Sequence, residues 1–300
     1  MRLQFPRLAR PDSRFLKILY YLPSHSLHTS PISLSKPQSQ CSSSPSTPSA
    51  PPISHSSSPL ANKTSLITGA SRGIGAAIAQ AFAREGVKCI LVGRNRALLE
   101  GIREGLDAIG DEGGGGGHRV LVGDVGDGGF WEGVRGEKNI DILVNAAGIT
   151  HYSPLFVTSP SLLDEVLRTN LMGTIMGCRA VGKGMLRGKR GGCIINVASL
   201  LGVKGGKGSS AYAARLTRAL AAELGEKDIR VNVILPGYIE TDMTEVGVAM
   251  TPEARSAALN SIPLKRFGKA SEIADAAVFL ARNKYANNCV LNLDGGLSAV

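Results

Sequence analysis

The sequence predicts an α/β fold built on a doubly wound parallel sheet of seven strands. From residue 65 onward, short runs rich in valine, isoleucine and leucine alternate with helical patterns. Parallel neighbours need a crossover connection, which a helix normally supplies, so this alternation favours a parallel sheet covered by helices on both faces. The predicted strands are residues 65–67, 89–92, 119–122, 140–144, 193–197, 230–235 and 289–293.

A glycine-rich turn follows the first strand and supports this fold class. Its sequence is Thr68-Gly-Ala-Ser-Arg-Gly-Ile-Gly75, and residues 76–84 continue as a helix with Ile78, Phe82 and Ala83 on one side. Such a turn directs free backbone N–H groups and a partial positive charge at one point, where a diphosphate usually binds. An ordinary strand-to-helix loop is the alternative reading of the turn taken alone.

The first 60 residues differ in composition from the rest and predict a separate leader. They contain 16 serines, 10 prolines, six basic residues and a single acid, Asp12. A serine-rich, arginine-bearing and acid-poor N-terminus resembles an import presequence, here for the mitochondrial matrix. A disordered tail without an address is the alternative. Residues 61–300 then form one α/β domain, a size that suits a single core.

Charge and cysteine usage exclude several classes of function. The chain has a net charge of +10, half of it in the leader, and the remaining mild excess of basic residues does not indicate nucleic-acid binding. No stretch is apolar enough to predict a membrane span. The five cysteines are scattered without a Cys-x-x-Cys pair, which favours buried thiols in a reducing compartment and reveals no metal site.

Residues that follow the predicted strands match a known family in order and spacing. They are the Thr68–Gly75 turn, Asp124-Val125, Asn145-Ala-Ala-Gly148, Asn170, Ser199, Tyr212 and Pro236-Gly237. This set resembles the short-chain dehydrogenases/reductases, whose domain is a Rossmann fold. The segments Val144–Thr150, Pro236–Thr244 and Val290–Leu297 are especially similar to those of 3-oxoacyl-(acyl-carrier-protein) reductases.

The resemblance implies a dinucleotide site. The residues expected to cradle the phosphates are Gly69, Ser71, Arg72, Gly73, Ile74 and Gly75. Asp124 would accept a hydrogen bond from the adenine amino group, and Val125 would pack beside it. Asn145, Ala146 and Gly148 would line the path of the adenosine and ribose, and Thr241 would hold the nicotinamide carboxamide.

Two arginines predict NADPH as the cofactor. An NAD-specific site usually places a carboxylate after the second strand, where it binds the ribose 2′-hydroxyl. Here the second strand is followed by Gly93-Arg94-Asn95, and Arg72 lies in the glycine turn. Two guanidinium groups suit a 2′-phosphate, although Arg94 at the start of a solvated helix is the alternative.

The resemblance also implies a catalytic set for the reduction of a ketone. Tyr212 is the expected proton donor, Ser199 the hydroxyl that polarises the carbonyl, and Asn170 the support for a proton-relay water. A free tyrosine has a pKa of about 10, so it needs a neighbouring cation to act near neutrality. In the family this cation is a lysine four residues after the tyrosine.

That lysine is absent from this sequence. Leu216 stands four residues after Tyr212, and the comparison with the family pattern indicates that six residues are missing after Ala214. Six helical residues correspond to about 9 Å of rise and a net rotation of about 240°. We expect a buried stripe of Leu216, Leu220 and Leu224 to set the orientation of this helix, so that Tyr212 is displaced. Arg215 is a weak candidate to replace the missing cation.

The sequence therefore predicts an NADPH-dependent oxidoreductase that reduces a 3-oxoacyl thioester, carried by acyl-carrier protein or coenzyme A, in fatty-acid synthesis. The missing lysine makes its turnover doubtful. A non-catalytic NADPH-binding subunit and a broad carbonyl or quinone reductase remain alternatives. The resemblance also implies a homo-oligomer, which the shortened helix should weaken.

Overall fold

The structure is a computed structural model that describes residues 58–110, 117–150, 155–200, 210–245 and 250–299. The side chains of residues 155 and 210–214 lie outside that description. The expected leader lies outside it as well, except for its last three residues, 58–60. Leu60 is already buried in the domain, and Ser58 donates a hydrogen bond to Glu85.

All seven predicted strands of the sheet are present. Their order is β3-β2-β1-β4-β5-β6-β9, and every neighbouring pair is parallel. The fourth strand begins two residues later than predicted and ends one residue later. The strands are β1 (Thr64–Thr68), β2 (Lys88–Gly93), β3 (Arg119–Val122), β4 (Ile142–Asn145), β5 (Gly192–Val197), β6 (Ile229–Pro236) and β9 (Val290–Leu293). The prediction of a doubly wound parallel sheet is confirmed.

Helices cover both faces of this sheet. They are α1 (Gly73–Arg84), α2 (Arg96–Gly110), α3 (Gly128–Val134), α4 (Pro160–Val166), α5 (Gly173–Gly188), α6 (Ser210–Leu224), α7 (Pro252–Ser261) and α8 (Ala270–Arg282). A π-helical turn, Leu167–Met172, joins α4 to α5, and a small second sheet pairs β7 (Ile239–Glu240) with β8 (Gly268–Lys269). No helix in the described ranges is both long and apolar enough to cross a membrane.

Successive side chains of the central strands enter two separate cores. Ile67 packs with α1 and α8 on one face, while its neighbour Leu66 packs with α3 and α5 on the other. Side chains alternate across a strand, so a strand between two helical layers must be apolar at nearly every position. This explains why the predicted strands are continuous apolar runs. The expected buried side of α1, with Ile78 and Phe82 fully buried, is also confirmed.

The buried face of α6 differs from the predicted leucine stripe. Thr217 is fully buried and Ala221 is 4% exposed, whereas Leu216 is half-buried and belongs to neither core. Leu220 and Leu224 pack only partly against the core. The prediction therefore failed for Leu216, because a buried polar contact of Thr217, described below, directs that residue toward the sheet.

The four cysteines in the described residues are unpaired thiols. Cys89, Cys178 and Cys193 are buried, and burial raises the pKa of Cys89 and Cys178 to about 12 and that of Cys193 to about 11. These thiols therefore stay protonated at neutral pH and are poor nucleophiles. Within the described residues, no group of His, Cys, Asp or Glu side chains is arranged to hold a metal ion.

Candidate functional site

The glycine turn packs so closely on its surroundings that side chains are excluded. Gly69 and Gly73 have positive φ values of 67° and 58°. A Cβ atom on Gly69 would lie 2.7 Å from the carbonyl oxygen of Ala146, and one on Gly75 would come within 3.0 Å of the Gly69 carbonyl. The turn therefore needs glycine both for its backbone conformation and for the close packing of α1 on β1.

This turn leaves the N-terminus of α1 open toward the carboxyl edge of the sheet. The N-cap residue Arg72 makes no side-chain capping bond, so it leaves the first N–H groups of the helix to other acceptors. Thr68 joins the turn to β4, because its Oγ1 accepts hydrogen bonds from the backbone N–H of Ala146 at 3.0 Å and of Ala147 at 3.1 Å. The predicted segments 68–75 and 145–148 are thus brought together.

Each arginine expected near the ribose is paired with a carboxylate. Arg72 Nη1 lies 3.0 Å from Asp242 Oδ2, and Arg94 Nη1 lies 4.0 Å from Glu165 Oε1. All four side chains are more than half exposed. Asn95, which follows Arg94, caps α2 by accepting from the backbone N–H of Leu98. The segment after β2 thus presents a cation and a helix cap, without a carboxylate.

Asp124 and Val125 follow β3 at the same edge. Asp124 Oδ1 accepts from the backbone N–H of Gly126 at 2.8 Å, which fixes the carboxylate in a tight turn. Val125 is buried, and its carbonyl oxygen accepts from the indole N–H of Trp131 at 2.7 Å. A Cβ atom on Gly173 would lie 2.8 Å from Val125 Cγ2, so the start of α5 packs directly on this turn.

The side chain of Asn145 points into the interior of the domain. It is 3% exposed and donates to Asn196 Oδ1 at 2.9 Å. Asn196 in turn donates to Thr217 Oγ1 at 2.9 Å, so a chain of amides links β4, β5 and α6. The side chain of Asn145 is therefore turned away from a nucleotide at the strand end. A contact of its backbone with the nucleotide remains a prediction. Ala146 and Gly148, which follow it, lie at the strand end.

Asn170 lies inside the π-helical turn between α4 and α5. Its Oδ1 accepts from the backbone N–H of Ile149 at 2.8 Å, and its Nδ2 donates to the Ile149 carbonyl at 2.9 Å. The carbonyl oxygen of Asn170 accepts from Thr174 Oγ1 at 3.0 Å. These bonds join Asn170 to the segment after β4 and to the start of α5. Single π-helical turns of this kind are frequent at functional sites.

Ser199 and Tyr212 lie on the elements expected for them. Ser199 is half-buried two residues after the end of β5, and Tyr212 is the third residue of α6. The side chain of Tyr212 lies outside the described residues, so the distance between the two hydroxyls stays untested. Arg215, the candidate replacement cation, is exposed.

Thr241 lies over the glycine turn. Its Cγ2 would be 3.3 Å from a Cβ atom on Gly73, and its backbone N–H donates to Thr244 Oγ1 at 3.1 Å. Thr244 Oγ1 also donates to the carbonyl oxygen of Ile239 at 2.7 Å, which closes a compact turn after β7. The structure therefore places Thr241 beside the glycine turn, although the two residues lie 168 positions apart in the sequence.

Three contributors to this site were missed by the sequence analysis: Asp242, Asn196 and Thr217. Asn196 is a polar residue inside the apolar run Cys193–Val197, and that interruption was the available signal for a buried amide network. No comparable signal marks Asp242, since its partner Arg72 is 170 residues away.

Comparison with known proteins finds relatives of similar sequence. A family model described as enoyl-(acyl carrier protein) reductase matches residues 69–298. The 3-oxoacyl-(acyl-carrier-protein) reductase of Bos taurus is 40% identical over 247 residues, which cover 79% of this chain and 98% of that protein. Its Homo sapiens counterpart is 38% identical over 251 residues, covering 80% of this chain and 99% of that protein.

Solved structures show the same architecture. A proposed NAD(P)-dependent gluconate 5-dehydrogenase from Beutenbergia cavernae, with NADP bound at low occupancy, is 34% identical with a TM-score of 0.72. A proposed short-chain alcohol dehydrogenase from Sinorhizobium meliloti is 35% identical with a TM-score of 0.70. Each alignment covers 80% of this chain and 98% of the other. The family match over most of the chain and the similarity to nearly complete relatives show that this chain belongs to the short-chain dehydrogenase/reductase family of oxidoreductases.

Proposed function

We propose that this chain is an NADPH-dependent reductase of 3-oxoacyl thioesters. One observation carries the proposal: the glycine turn, the Asn145–Gly148 strand end and Ser199 follow β1, β4 and β5, which end at the same edge of the sheet, and the Thr241 turn lies over the glycine turn. In open α/β sheets, ligands bind at the carboxyl ends of the strands. The similarity to 3-oxoacyl-(acyl-carrier-protein) reductases of several vertebrates supports the substrate class.

The described residues fit NADP(H) as the cofactor. The uncapped start of α1 and the Cβ-free surface of the glycine turn suit a diphosphate. Arg72 and Arg94 suit a 2′-phosphate, and the segment after β2 lacks the carboxylate that an NAD site uses. Two structural relatives contain bound NADP. The residues that would hold it are Gly69, Ser71, Arg72, Gly73, Ile74, Gly75, Arg94, Asp124, Val125, Asn145, Ala146, Gly148 and Thr241.

When bound, the reduced nicotinamide supplies the hydride for the ketone carbon. The protein must then stabilise the developing charge on the ketone oxygen and deliver a proton to it. In this proposal Ser199 donates a hydrogen bond to that oxygen, and Tyr212 is the proton donor. Asn170 would hold a water through its carbonyl oxygen, through which Tyr212 recovers its proton.

The backbone of α6 argues against full activity. Thr217 is held against β5 by its hydrogen bond to Asn196, so the orientation of the helix is set at that residue. Tyr212 precedes Thr217 by five residues, which places the two Cα atoms about 140° apart around the helix axis. With the six family residues present, the separation would be eleven residues and only about 20°. The second candidate function, NADPH binding without turnover, follows from this offset and from the missing lysine.

NADPH oxidation by the purified full-length chain tests the proposal. Acetoacetyl, trans-2-enoyl and quinone substrates are compared, while NADPH binding is measured separately by fluorescence titration. Turnover of the acetoacetyl thioester above that of the other substrates would support the reductase, and we expect its rate to lie well below a typical value of about 10 s⁻¹ because the lysine is missing. NADPH binding without turnover of any substrate would support the non-catalytic function. Preference for the enoyl thioester or the quinone would contradict the assigned substrate class.

An acidic acyl-carrier protein is the partner that the surface of α5 suits. Lys183, Arg187, Lys189 and Arg190 are exposed at the C-terminal end of this helix, and Arg190 lies 3.9 Å from Asp141. A basic surface of this kind would steer an acidic carrier toward the site. We expect Lys183→Glu to raise KM for a carrier-linked substrate while leaving KM for the coenzyme A thioester unchanged. Equal changes for both substrates would contradict docking there.

A homo-oligomer is proposed from exposed apolar side chains along the segment before α5. Phe156 is 98% exposed and Val157 is 73% exposed, and Leu163, Leu167 and Met172 are also exposed. Clustered apolar exposure of this kind marks interaction surfaces. Because α6 is shortened, we expect the assembly to dissociate at micromolar concentration, as measured by sedimentation equilibrium. A tetramer that persists at nanomolar concentration would contradict the expected weakening.

Import into the mitochondrial matrix is proposed from the composition of residues 1–60. A reporter fused to these residues should become protease-protected in isolated mitochondria. Replacing Arg2, Arg7, Arg10 and Arg14 with glutamine removes most of the positive charge and should abolish protection. Protection that survives this change would contradict the presequence.

A further inference from the structure

Arg72 forms an ion pair with Asp242, a residue of the turn that carries Thr241. The guanidinium of Arg72 donates to Asp242 Oδ2 at 3.0 Å, although the two residues lie 170 positions apart. Both side chains are more than half exposed, so the pair lies at the surface above the glycine turn. It joins the start of α1 to the 241–244 turn.

The same turn also makes contacts within itself and with α7. Thr241 and Thr244 bond to each other and to Ile239, which are residues of the turn and its strand. Arg255, on α7, donates to the carbonyl oxygen of Thr244 at 3.2 Å and so fixes the far end of the turn. The Arg72–Asp242 pair links this turn to the glycine turn at the start of α1.

The Asp242 carboxylate occupies one donor of the Arg72 guanidinium, through Nη1, and lowers the positive charge that the group offers to a second anion. A 2′-phosphate that uses the planar fork of the guanidinium therefore competes with this carboxylate. An exposed ion pair contributes little, so a dianionic phosphate can displace it. Displacement would free the Asp242 carboxylate and remove the charged contact between Arg72 and the 241–244 turn.

We propose that Asp242 is a specificity-determining residue that competes with the 2′-phosphate of NADP(H) for Arg72. Binding of the phosphate exchanges the Arg72–Asp242 pair for an Arg72–phosphate pair and frees the Asp242 carboxylate. A dinucleotide without the 2′-phosphate leaves the pair intact. This inference rests on the proposed NADP(H) site and deepens it.

Fluorescence titration of the full-length chain with NADPH and with NADH tests the exchange. Asp242→Asn removes the competitor and should tighten NADPH binding about two- to fivefold, the range expected for an exposed ion pair, while NADH binding stays unchanged. Glu245→Gln removes a nearby carboxylate that is not bonded to Arg72 and serves as the charge-matched control. The effect should shrink at high salt, since exposed charges are screened.

A double-mutant cycle isolates the pair. In an Arg72→Gln background, Asp242→Asn should leave NADPH affinity unchanged. Asp242→Asn should raise hydrogen exchange of the 241–244 amides in the NADH complex, where the pair is intact, and should leave it unchanged in the NADPH complex, where the pair is already exchanged. Equal tightening of both nucleotides, an equal effect of Glu245→Gln, or an effect that persists without Arg72 would overturn the inference and leave the NADPH site standing. Failure of the wild-type chain to bind either nucleotide would overturn the proposed function and this inference together.

Discussion

Restoring six residues between Ala214 and Arg215 should convert this chain into an efficient reductase. The proposed insertion is Ser-Lys-Ala-Gly-Leu-Ile, which places a lysine four residues after Tyr212. The size of the displacement of Tyr212 follows from the geometry of α6. Thr217 is held by a hydrogen bond from Asn196 at 2.9 Å, so added residues move the start of the helix rather than its end. The insertion adds about 9 Å of rise and turns Tyr212 to within about 20° of the face that carries Thr217.

The assay is NADPH oxidation with an acetoacetyl thioester. A positioned general acid contributes about 10²- to 10⁴-fold, so we expect kcat to rise by at least about 10²-fold over the natural chain. The same insertion with methionine in place of lysine separates geometry from charge. The methionine variant should restore the orientation of Tyr212. It should not lower the pH at which Tyr212 acts, because it lacks the cation.

A four-residue insertion, Ser-Lys-Ala-Gly, provides the control for helix orientation. It also places a lysine four residues after Tyr212, yet it leaves Tyr212 about 180° from Thr217. This variant should stay inactive. Equal activity of the four- and six-residue insertions, or turnover by the natural chain near 10 s⁻¹, would refute the reasoning, because the orientation of α6 would then not limit catalysis.

Three further predictions concern the glycine turn, a buried histidine and the amide network. Gly75→Ala should weaken NADPH binding at least tenfold because its Cβ meets a backbone carbonyl within 3.0 Å, whereas Gly105→Ala, with open space in α2, should stabilise the fold by about 0.5–1 kcal/mol in urea unfolding. Burial lowers the pKa of His118, so folding disfavours its protonated form and stability should fall as pH drops below about 6.5; His118→Gln should flatten the melting temperature between pH 7 and 5, and an unchanged slope would contradict this. Thr217→Val strands a buried amide and should cost about 1–3 kcal/mol in urea unfolding, while Thr217→Ser should cost less; equal losses would argue against the hydrogen bond.

The local features of this chain were readable from its sequence because they depend on neighbouring residues. Apolar runs bounded by turns predicted the seven strands, since a strand covered on both faces needs apolar side chains throughout. The Thr68–Gly75 motif predicted a tight turn at the start of α1, because only glycine tolerates its backbone conformation and close packing. The loss of the lysine after Tyr212 was visible from comparison with the family pattern.

The orientation of α6 and the partner of Arg72 were decided only by the tertiary structure. The leucine spacing predicted a buried stripe that begins at Leu216. However, the buried side-chain amide of Asn196 needs a hydrogen-bond acceptor, and Thr217 supplies it from α6. A buried polar group left without a hydrogen bond costs more than partial exposure of a leucine. Likewise, Arg72 and Asp242 meet because the turn after β7 lies over the turn after β1, and the sequence shows no local trace of that proximity.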